Sequence, residues 1–208
     1  MNYEILFGFI LATTALALSP GPDNIYVLMQ SISNGRKYGI ATVCGLISGC
    51  LVHTTLVAFG VSAIIKESET LFFIIKTLGA LYLLYLAYKV FKSDAAVSLS
   101  NNAVPKKSMM QLFKQGVIMN VLNPKVSIFF LAFFPAYLFS KTISTVTQFY
   151  VLGLLFMATS FMVFALIAIL AGLISDYLKQ SKNIGLVLKW LQIVVFIGIA
   201  IFIFLSEN

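Results

Sequence analysis

The sequence predicts an all-α integral membrane protein with six transmembrane helices, and three observations support this fold class. Of the 208 residues, 60% are hydrophobic and only 10% are charged, whereas a soluble domain carries roughly 25% charged residues. The mean hydropathy is +0.99. Apolar runs long enough to cross about 30 Å of hydrocarbon as helices recur along the chain. They are Ile5–Ile32, Gly39–Ile65, Leu71–Phe91, Val117–Phe139, Phe149–Ile174 and Ile184–Leu205.

The charged residues exclude several classes of protein and orient the chain. They are too few to surround a soluble enzyme or a nucleic-acid-binding domain with a polar surface, and a disordered chain would be far less apolar. The net charge of +7 comes from basic residues that lie mostly in the gaps between apolar runs. The first, third and fifth gaps hold ten of them, and the second and fourth gaps hold two. The positive-inside rule therefore places the odd gaps in the cytoplasm and both termini outside.

The third gap divides the single membrane domain, residues 1–208, into two halves of three spans. We predict a first half at residues 1–92, a cytoplasmic linker at 93–114 and a second half at 115–208. Ser, Asn, Ala and Pro dominate this gap, which is typical of a flexible linker. Because each half has an odd number of spans, the halves have opposite orientations. Any repeat between them is then inverted, an arrangement common in secondary transporters.

The first span contains a predicted helix break at Pro20, Gly21 and Pro22. A proline removes a hydrogen-bond donor and clashes with the carbonyl four residues back. In hydrocarbon the freed backbone groups need other partners, so such a break is tolerated where it lines a cavity. Asp23 and Asn24 follow at once, and both are good helix N-caps. We expect a second half-helix to start near Pro22 or Asp23, with its positive dipole end inside the membrane.

The fourth span contains a second predicted break, at Pro124, with Asn120, Asn123 and Lys125 beside it. Corresponding interruptions in two halves of a chain indicate a transport site. By helical rise, Asp23 and Lys125 each lie roughly 12–14 Å from the inner boundary of the hydrocarbon. An acid and a base at similar depth are expected to face one aqueous cavity.

Each of these residues also has a purely structural interpretation. Asp23 could serve only as a helix cap, Lys125 could extend toward the cytoplasmic interface, or the two could form a structural ion pair. His53, the only histidine, is either a hydrogen-bonded residue between helices or a proton relay. Gly45 and Gly49 indicate close helix packing but do not distinguish contacts within the chain from contacts in a dimer.

Several kinds of chemistry lack the residues that they require. The chain has no Gly-rich phosphate loop followed by Lys-Ser/Thr, and no cluster with metal-ligand spacing. Cys44 and Cys50 are spaced neither as a redox pair nor as a zinc knuckle, so we interpret both as small core residues. A single histidine at a different depth from Asp23 does not support a hydrolytic triad. We therefore expect no cofactor, metal, nucleic-acid partner or enzymatic activity.

Three stretches of the chain share a pattern with a known transporter family. They are Ser19–Asn24 with Gly35–Gly39, Gly45, Gly49 and His53; Lys76–Leu86; and Phe113–Gly116 with Asn120, Asn123–Lys125 and Phe129–Pro135. In this ordered combination the chain resembles the LysE/RhtB superfamily of bacterial amino-acid exporters, and within it the homoserine/threonine-type RhtB branch. One departure is Ala136, since the family often has Gln after the Phe-Phe-Pro stretch. Any contact made by that Gln side chain is missing here.

The resemblance implies six helices, residence in the bacterial inner membrane and amino-acid efflux coupled to the proton gradient, with homodimers among family members. We accordingly expect a secondary transporter that exports a small, neutral amino acid of the threonine or homoserine type by proton antiport. A shortage of further fixed acids in the spans favours a neutral cargo over lysine or arginine. The alternatives are a non-transporting assembly or lipid-handling protein of the membrane, and an uncoupled channel.

A zwitterionic cargo needs a cation for its carboxylate and an acceptor for its ammonium. Lys125 and the half-helix end near Asn24 are expected to bind the carboxylate, and Asp23 the ammonium. Asn120 and Asn123 would add polar contacts. Protonation of Asp23 would remove the ammonium contact, so a proton and the cargo would compete for one site. His53 is the other candidate for proton coupling.

Overall fold

The computed structural model describes residues 3–93, 107–174 and 182–205, and within these ranges all regular structure is helical. The helices, in chain order, are α1 (Tyr3–Leu18), α2 (Pro22–Asn34), α3 (Arg36–Glu67), α4 (Glu69–Lys92), α5 (Met109–Val121), α6 (Pro124–Tyr137), α7 (Thr145–Ile169) and α8 (Lys182–Leu205). Four of them, α3, α4, α7 and α8, are each long and apolar enough to cross a membrane. The pairs α1–α2 and α5–α6 each form one bent span, which makes six. This confirms the predicted fold class.

The two bent spans break at the prolines. The axes of α1 and α2 differ by 61°, and those of α5 and α6 by 50°. As expected, α2 begins at Pro22 and α6 at Pro124. The expected capping by Asp23 or Asn24 is wrong, because the N-cap of α2 is Gly21 and no side chain caps it. Proline suits the first helical position, since it has no N–H to satisfy and a suitable φ.

Helix α5 begins within the segment that the sequence predicts as a linker. Helix α5 starts at Met109, so residues 109–114 of the predicted linker are helical. A capping box fixes this start: the Ser108 hydroxyl accepts from the Gln111 N–H, and the Gln111 side chain accepts from the Ser108 N–H. Such reciprocal bonds satisfy two of the free donors at a helix start. The rest of the predicted linker, residues 94–106, lies outside the described residues.

A single residue, Gly35, separates α2 from α3. Its φ is +102° and its ψ is 160°, a region that is essentially restricted to glycine. The Gly35 N–H donates to the Ser31 carbonyl, which ends α2, and α3 starts at the next residue. Glycine therefore permits two spans to reverse direction without a loop.

Helices α3 and α5 approach each other through glycines. A Cβ atom added at Gly45 would overlap the backbone of Phe113, and one at Gly49 would lie 2.8 Å from the Asn120 side chain. From the other side, a Cβ at Gly116 would collide with the backbone of α3. The Gly45 and Gly49 face is therefore occupied by α5 of the same chain. This decides between the two interpretations that the sequence left open.

Phenylalanines from α1 and α6 form the core beside the helix breaks. At most 1% of the surface of each side chain is exposed for Phe9, Phe129, Phe130, Phe133 and Phe134. A π-helical turn at residues 129–133 brings the rings into two stacked pairs, with centroids 4.2 Å apart for 129 and 133 and 4.1 Å apart for 130 and 134. The wider turn thus aligns rings four residues apart on the inward side of α6.

Candidate functional site

The two helix breaks meet at one small cavity inside the bundle. Its walls come from the break after α1, the start of α2, α3, the end of α5, the start of α6, and α7. Its polar side chains belong to Asp23, Asn24, Asn120, Asn123, Lys125 and Ser160. All five residues predicted to bind the cargo thus lie at this cavity, together with the break residues Gly21 and Pro22. His53 is not among the lining residues.

Asn123 joins the two breaks with one side chain. As the N-cap of α6, its Oδ1 accepts from the Lys125 N–H at 3.0 Å. Its Nδ2 donates to Oδ2 of Asp23 at 2.9 Å, across 100 residues of sequence. An amide suits this place because it carries both an acceptor and a donor. The position of Asp23 therefore depends on the capping of α6.

Asp23 is buried, with 5% of its surface exposed, and lies in the first turn of α2. Negative charge is favoured at a helix N-terminus. The second carboxylate oxygen, Oδ1, has no hydrogen-bond partner among the described residues. A buried carboxylate oxygen without a partner is costly. The side chain thus presents one free acceptor at the cavity.

Lys125 binds backbone carbonyl groups at the broken end of α1. Its ammonium donates to the carbonyl of Leu16 at 3.3 Å and to that of Ser19 at 3.1 Å. It also lies 5.4 Å from the centre of the Phe196 ring of α8. Among the described residues no ion pair joins it to Asp23, whose Oδ2 is held by Asn123. Both charges border the same cavity without direct contact.

Asn24 also satisfies the broken end of α1, since its Nδ2 donates to the Ala17 carbonyl at 2.7 Å. The Asn24 side chain is therefore already hydrogen-bonded, but the start of α2 offers backbone N–H groups as other donors. Pro22 has no N–H, and the first intrahelical bond is that from the Ile25 N–H to the Gly21 carbonyl. The N–H groups of Asp23 and Asn24 consequently lack intrahelical partners, as expected in a first turn.

Asn120 and His53 connect α5 to α3 next to the cavity. The Asn120 carbonyl accepts from His53 Nε2 at 3.1 Å and from the Asn123 N–H at 3.0 Å. Because a carbonyl can only accept, Nε2 carries the proton in this bond. The Asn120 Oδ1 has no partner in the described part of the chain. His53 thus makes a hydrogen bond between helices and also contacts the Phe130 ring, at 5.3 Å between ring centres.

The cavity is too small for an amino acid in this conformation. Its volume is about 30 Å³, and a buried water needs at least roughly 10–15 Å³. It therefore has room for about two water molecules. Binding of a larger molecule requires the half-helices to separate, which the two hinged breaks permit.

Helix α7 also contributes to the cavity, which the sequence did not predict. Ser160 lines it with a buried hydroxyl that has no partner among the described groups, and Phe156 and Phe164 flank that hydroxyl one turn to either side. Cys50 lines the cavity as well, as a free thiol. The only signal for Ser160 was a polar pair, Thr159-Ser160, within a highly apolar run. Such a pair is too common to identify a site.

No three His, Cys, Asp or Glu side chains of the described ranges come together as metal ligands. The arrangement instead has one free carboxylate oxygen, one ammonium, three side-chain amides and one hydroxyl around a small space. Paired discontinuous helices that bring such groups to the middle of a bundle define a class of multi-pass membrane transporters.

Comparisons with known proteins agree with this class. Residues 14–207 match the family described as LysE type translocator. Two homoserine/homoserine lactone efflux proteins, from Salmonella typhimurium and Salmonella typhi, are each 31% identical to the chain over 183 residues. The matched region covers 88% of this chain and 88% of each relative. No solved structure matches. The chain belongs to the LysE type translocator family, so it is a transporter and not an enzyme.

Proposed function

We propose that this protein exports a small, neutral amino acid of the threonine or homoserine type from the cytoplasm in exchange for protons. The observation that carries the proposal is the carboxylate of Asp23. One of its oxygens is held by Asn123 and the other is free, in a cavity that also borders the ammonium of Lys125. The two Salmonella relatives are homoserine/homoserine lactone efflux proteins, which supports an amino acid of this type.

In this proposal the cargo is bound as a zwitterion. The free oxygen of Asp23 accepts from the cargo ammonium, while Asn123 holds the other oxygen of the Asp23 carboxylate in place. The N–H groups at the start of α2 and the ammonium of Lys125 attract the cargo carboxylate, because both carry positive charge into the site. Asn24 supports this helix start through its bond to Ala17. Asp23 and Lys125 are both used by the ammonium and carboxylate of the cargo. A cargo with a charged side chain would therefore lack an opposite charge to bind it, which favours neutral amino acids.

Proton coupling follows from competition for Asp23. A protonated carboxyl group has lost the charge that attracts an ammonium, so Asp23 binds either the cargo or a proton. Outward release of the cargo then accompanies protonation, and inward release of the proton precedes the next binding event. Such exclusive occupancy is the simplest physical basis for antiport.

The replacement Asp23→Asn tests this mechanism, since it preserves shape and an acceptor for Asn123 but cannot titrate. We expect wild-type protein in proteoliposomes to move labelled threonine in response to an imposed pH gradient, and Asp23→Asn to show no such response. Glu67→Gln is the matched control, because Glu67 is an exposed carboxylate outside the cavity and its loss should leave transport unchanged. Proton-driven transport by Asp23→Asn would refute the mechanism.

His53 is the second candidate for proton coupling, since it is hydrogen-bonded to Asn120 in the last turn of α5, next to the cavity. His53→Gln retains an N–H donor for the Asn120 carbonyl but cannot titrate. If His53 relays protons, this variant loses the response to the pH gradient in the same assay. Retained coupling in His53→Gln and lost activity in His53→Leu would assign His53 a purely structural role.

The resemblance and the charge pattern also support a setting for this activity. We propose that the protein resides in the bacterial inner membrane, with both termini in the periplasm and with residues 1–92 and 109–208 as inverted halves, the second of which starts with α5. We further propose a homodimer. Since α5 covers Gly45 and Gly49, a dimer contact must use another surface, and the mass of the detergent-solubilised protein tests the stoichiometry.

An uncoupled channel is the remaining alternative, and counterflow distinguishes it from the proposed carrier. A carrier exchanges labelled threonine against an excess of unlabelled threonine on the other side of the vesicle. A channel lets labelled and unlabelled threonine equilibrate independently, so the unlabelled threonine does not accelerate movement of the label. Absence of accelerated exchange in wild-type protein would therefore favour the channel.

A further inference from the structure

The hydroxyl of Ser160 lacks a local hydrogen bond that several other hydroxyls in the described helices make. Seven Ser and Thr side chains in the described helices donate to the carbonyl four residues earlier: Thr14, Ser31, Thr42, Ser48, Thr54, Thr55 and Ser127. This local bond is the usual solution where no water is present. Ser160 does not make it, although only 2% of its surface is exposed. Its hydroxyl therefore lacks the partner that its helix normally supplies.

Ser160 differs from other unpartnered hydroxyls because it lines the cavity. Other buried hydroxyls of the described chain also lack partners, for example those of Thr13 and Thr77, but these two residues do not line the cavity. Ser160 does, and so does Asn120, whose Oδ1 is equally unpartnered. These two polar atoms come from α7 and α5. They are distinct from the groups on α2 and α6 that meet the charged ends of the cargo.

We propose that Ser160 is a specificity-determining residue of the transport site, which binds a hydroxyl group on the side chain of the cargo together with Asn120. This inference rests on the proposed function. A hydroxyl can donate to the Asn120 Oδ1 and accept from the Ser160 O–H at the same time. An alkyl side chain can do neither and leaves two buried polar atoms unpaired, whereas a carboxylate cannot donate to Oδ1.

The surrounding wall restricts the cargo to a short side chain. Phe156 and Phe164 stand one turn before and one turn after Ser160 on α7, and both line the cavity. A polar group set between two aromatic rings suits a side chain with one hydroxyl and little other bulk. Small amino acids with a side-chain hydroxyl fit both the polar atoms of Ser160 and Asn120 and the apolar wall around them.

The test compares two cargoes of nearly equal shape, threonine and valine, which differ by a hydroxyl in place of a methyl group. Purified full-length protein in proteoliposomes is given labelled threonine with valine as competitor, and then the reverse. We expect the wild-type protein to prefer threonine. Ser160→Ala should reduce this preference about 2- to 10-fold, the effect of one hydrogen bond, chiefly through weaker threonine binding. Thr159→Ala is the matched control, since it removes a neighbouring hydroxyl that does not line the cavity, and should retain the preference.

The outcomes separate this inference from the proposed function. If the wild-type protein moves no amino acid, the proposed function fails. If it moves threonine and Ser160→Ala keeps the wild-type preference, only the role of Ser160 is refuted. Equal loss of threonine and valine transport in a folded Ser160→Ala variant also refutes it, because a specificity residue changes their ratio. Asn120→Ala provides a second test of the same pair should Ser160→Ala fail to accumulate in the membrane, with the same expected decrease in preference.

Discussion

Lys125 shows how a single side chain serves two purposes in a broken span. The end of α1 leaves carbonyl groups without helical partners, and in hydrocarbon each such group is costly. At this break the Lys125 ammonium donates to the carbonyls of Leu16 and Ser19, and Asn24 donates to the carbonyl of Ala17. The positive charge also compensates the negative end of the α1 dipole. The residue that is proposed to attract the cargo carboxylate thus also stabilises the break in the empty protein.

This double role leads to a prediction for Lys125→Met, which preserves length but removes the donors and the charge. We expect the free energy of unfolding to fall by about 1–3 kcal/mol, because the Ser19 carbonyl loses its partner and the Leu16 carbonyl keeps only the Ser19 N–H. Denaturation in detergent measures this, with the exposed Lys141→Met as control. The variant should also lose the stabilisation that threonine confers on the wild-type protein. Unchanged stability would contradict the capping role, and retained threonine stabilisation would contradict the binding role.

At the scale of whole elements, Gly35 determines how α2 leads into α3. Its backbone conformation is strained for any residue with a Cβ atom, although the space around it is open. We therefore predict that Gly35→Ala lowers the free energy of unfolding by about 1–3 kcal/mol through backbone strain alone.

Gly60 provides the matched control for this prediction. It is helical, has ordinary negative φ and likewise has no atoms within 4 Å of an added Cβ. Gly60→Ala should leave stability unchanged or raise it slightly, because alanine favours helix more than glycine does. Equal effects of the two substitutions in detergent denaturation would contradict the assignment of strain to Gly35.

The glycines of α3 and α5 act at the same scale but by a different mechanism. At Gly45 and Gly116 the partner backbone occupies the space of a side chain. This close approach brings His53 of α3 within reach of the Asn120 carbonyl, and so holds the end of α5 at the cavity. The position of the cavity therefore depends on the close packing of α3 against α5.

At the scale of the whole molecule, the charge distribution predicts that the turn at Lys37 faces the cytoplasm and the turn at Lys141 faces outside. Both side chains are exposed. With Cys44 and Cys50 replaced by alanine, Lys141→Cys in intact spheroplasts should react with a membrane-impermeant maleimide. Lys37→Cys should react only after permeabilisation. The opposite labelling pattern would reverse the orientation and with it the proposed direction of export.

Much of the architecture was determined by the sequence alone. Long apolar runs in a chain with few charges dictate helical spans, because hydrocarbon leaves backbone groups no partners outside the helix. Prolines dictate the two breaks, since Pro22 and Pro124 cannot continue a helix begun before them. These are local effects, and they can be inferred from the residues concerned. Counting residues along the spans also predicted that Asp23 and Lys125 face one cavity, and both line it.

Only the tertiary structure decided which atoms remain free at the cavity. Asn123 bonds to Asp23 across 100 residues, and the faces of α3, α5 and α7 are brought together by packing that has no local signature. Whether Gly45 and Gly49 contact their own chain, and whether the hydroxyl of Ser160 bonds to its helix or opens onto the site, depends on how the spans are rotated against each other. Rotation is set by the sum of many weak contacts between distant segments, so it cannot be inferred from any one of them.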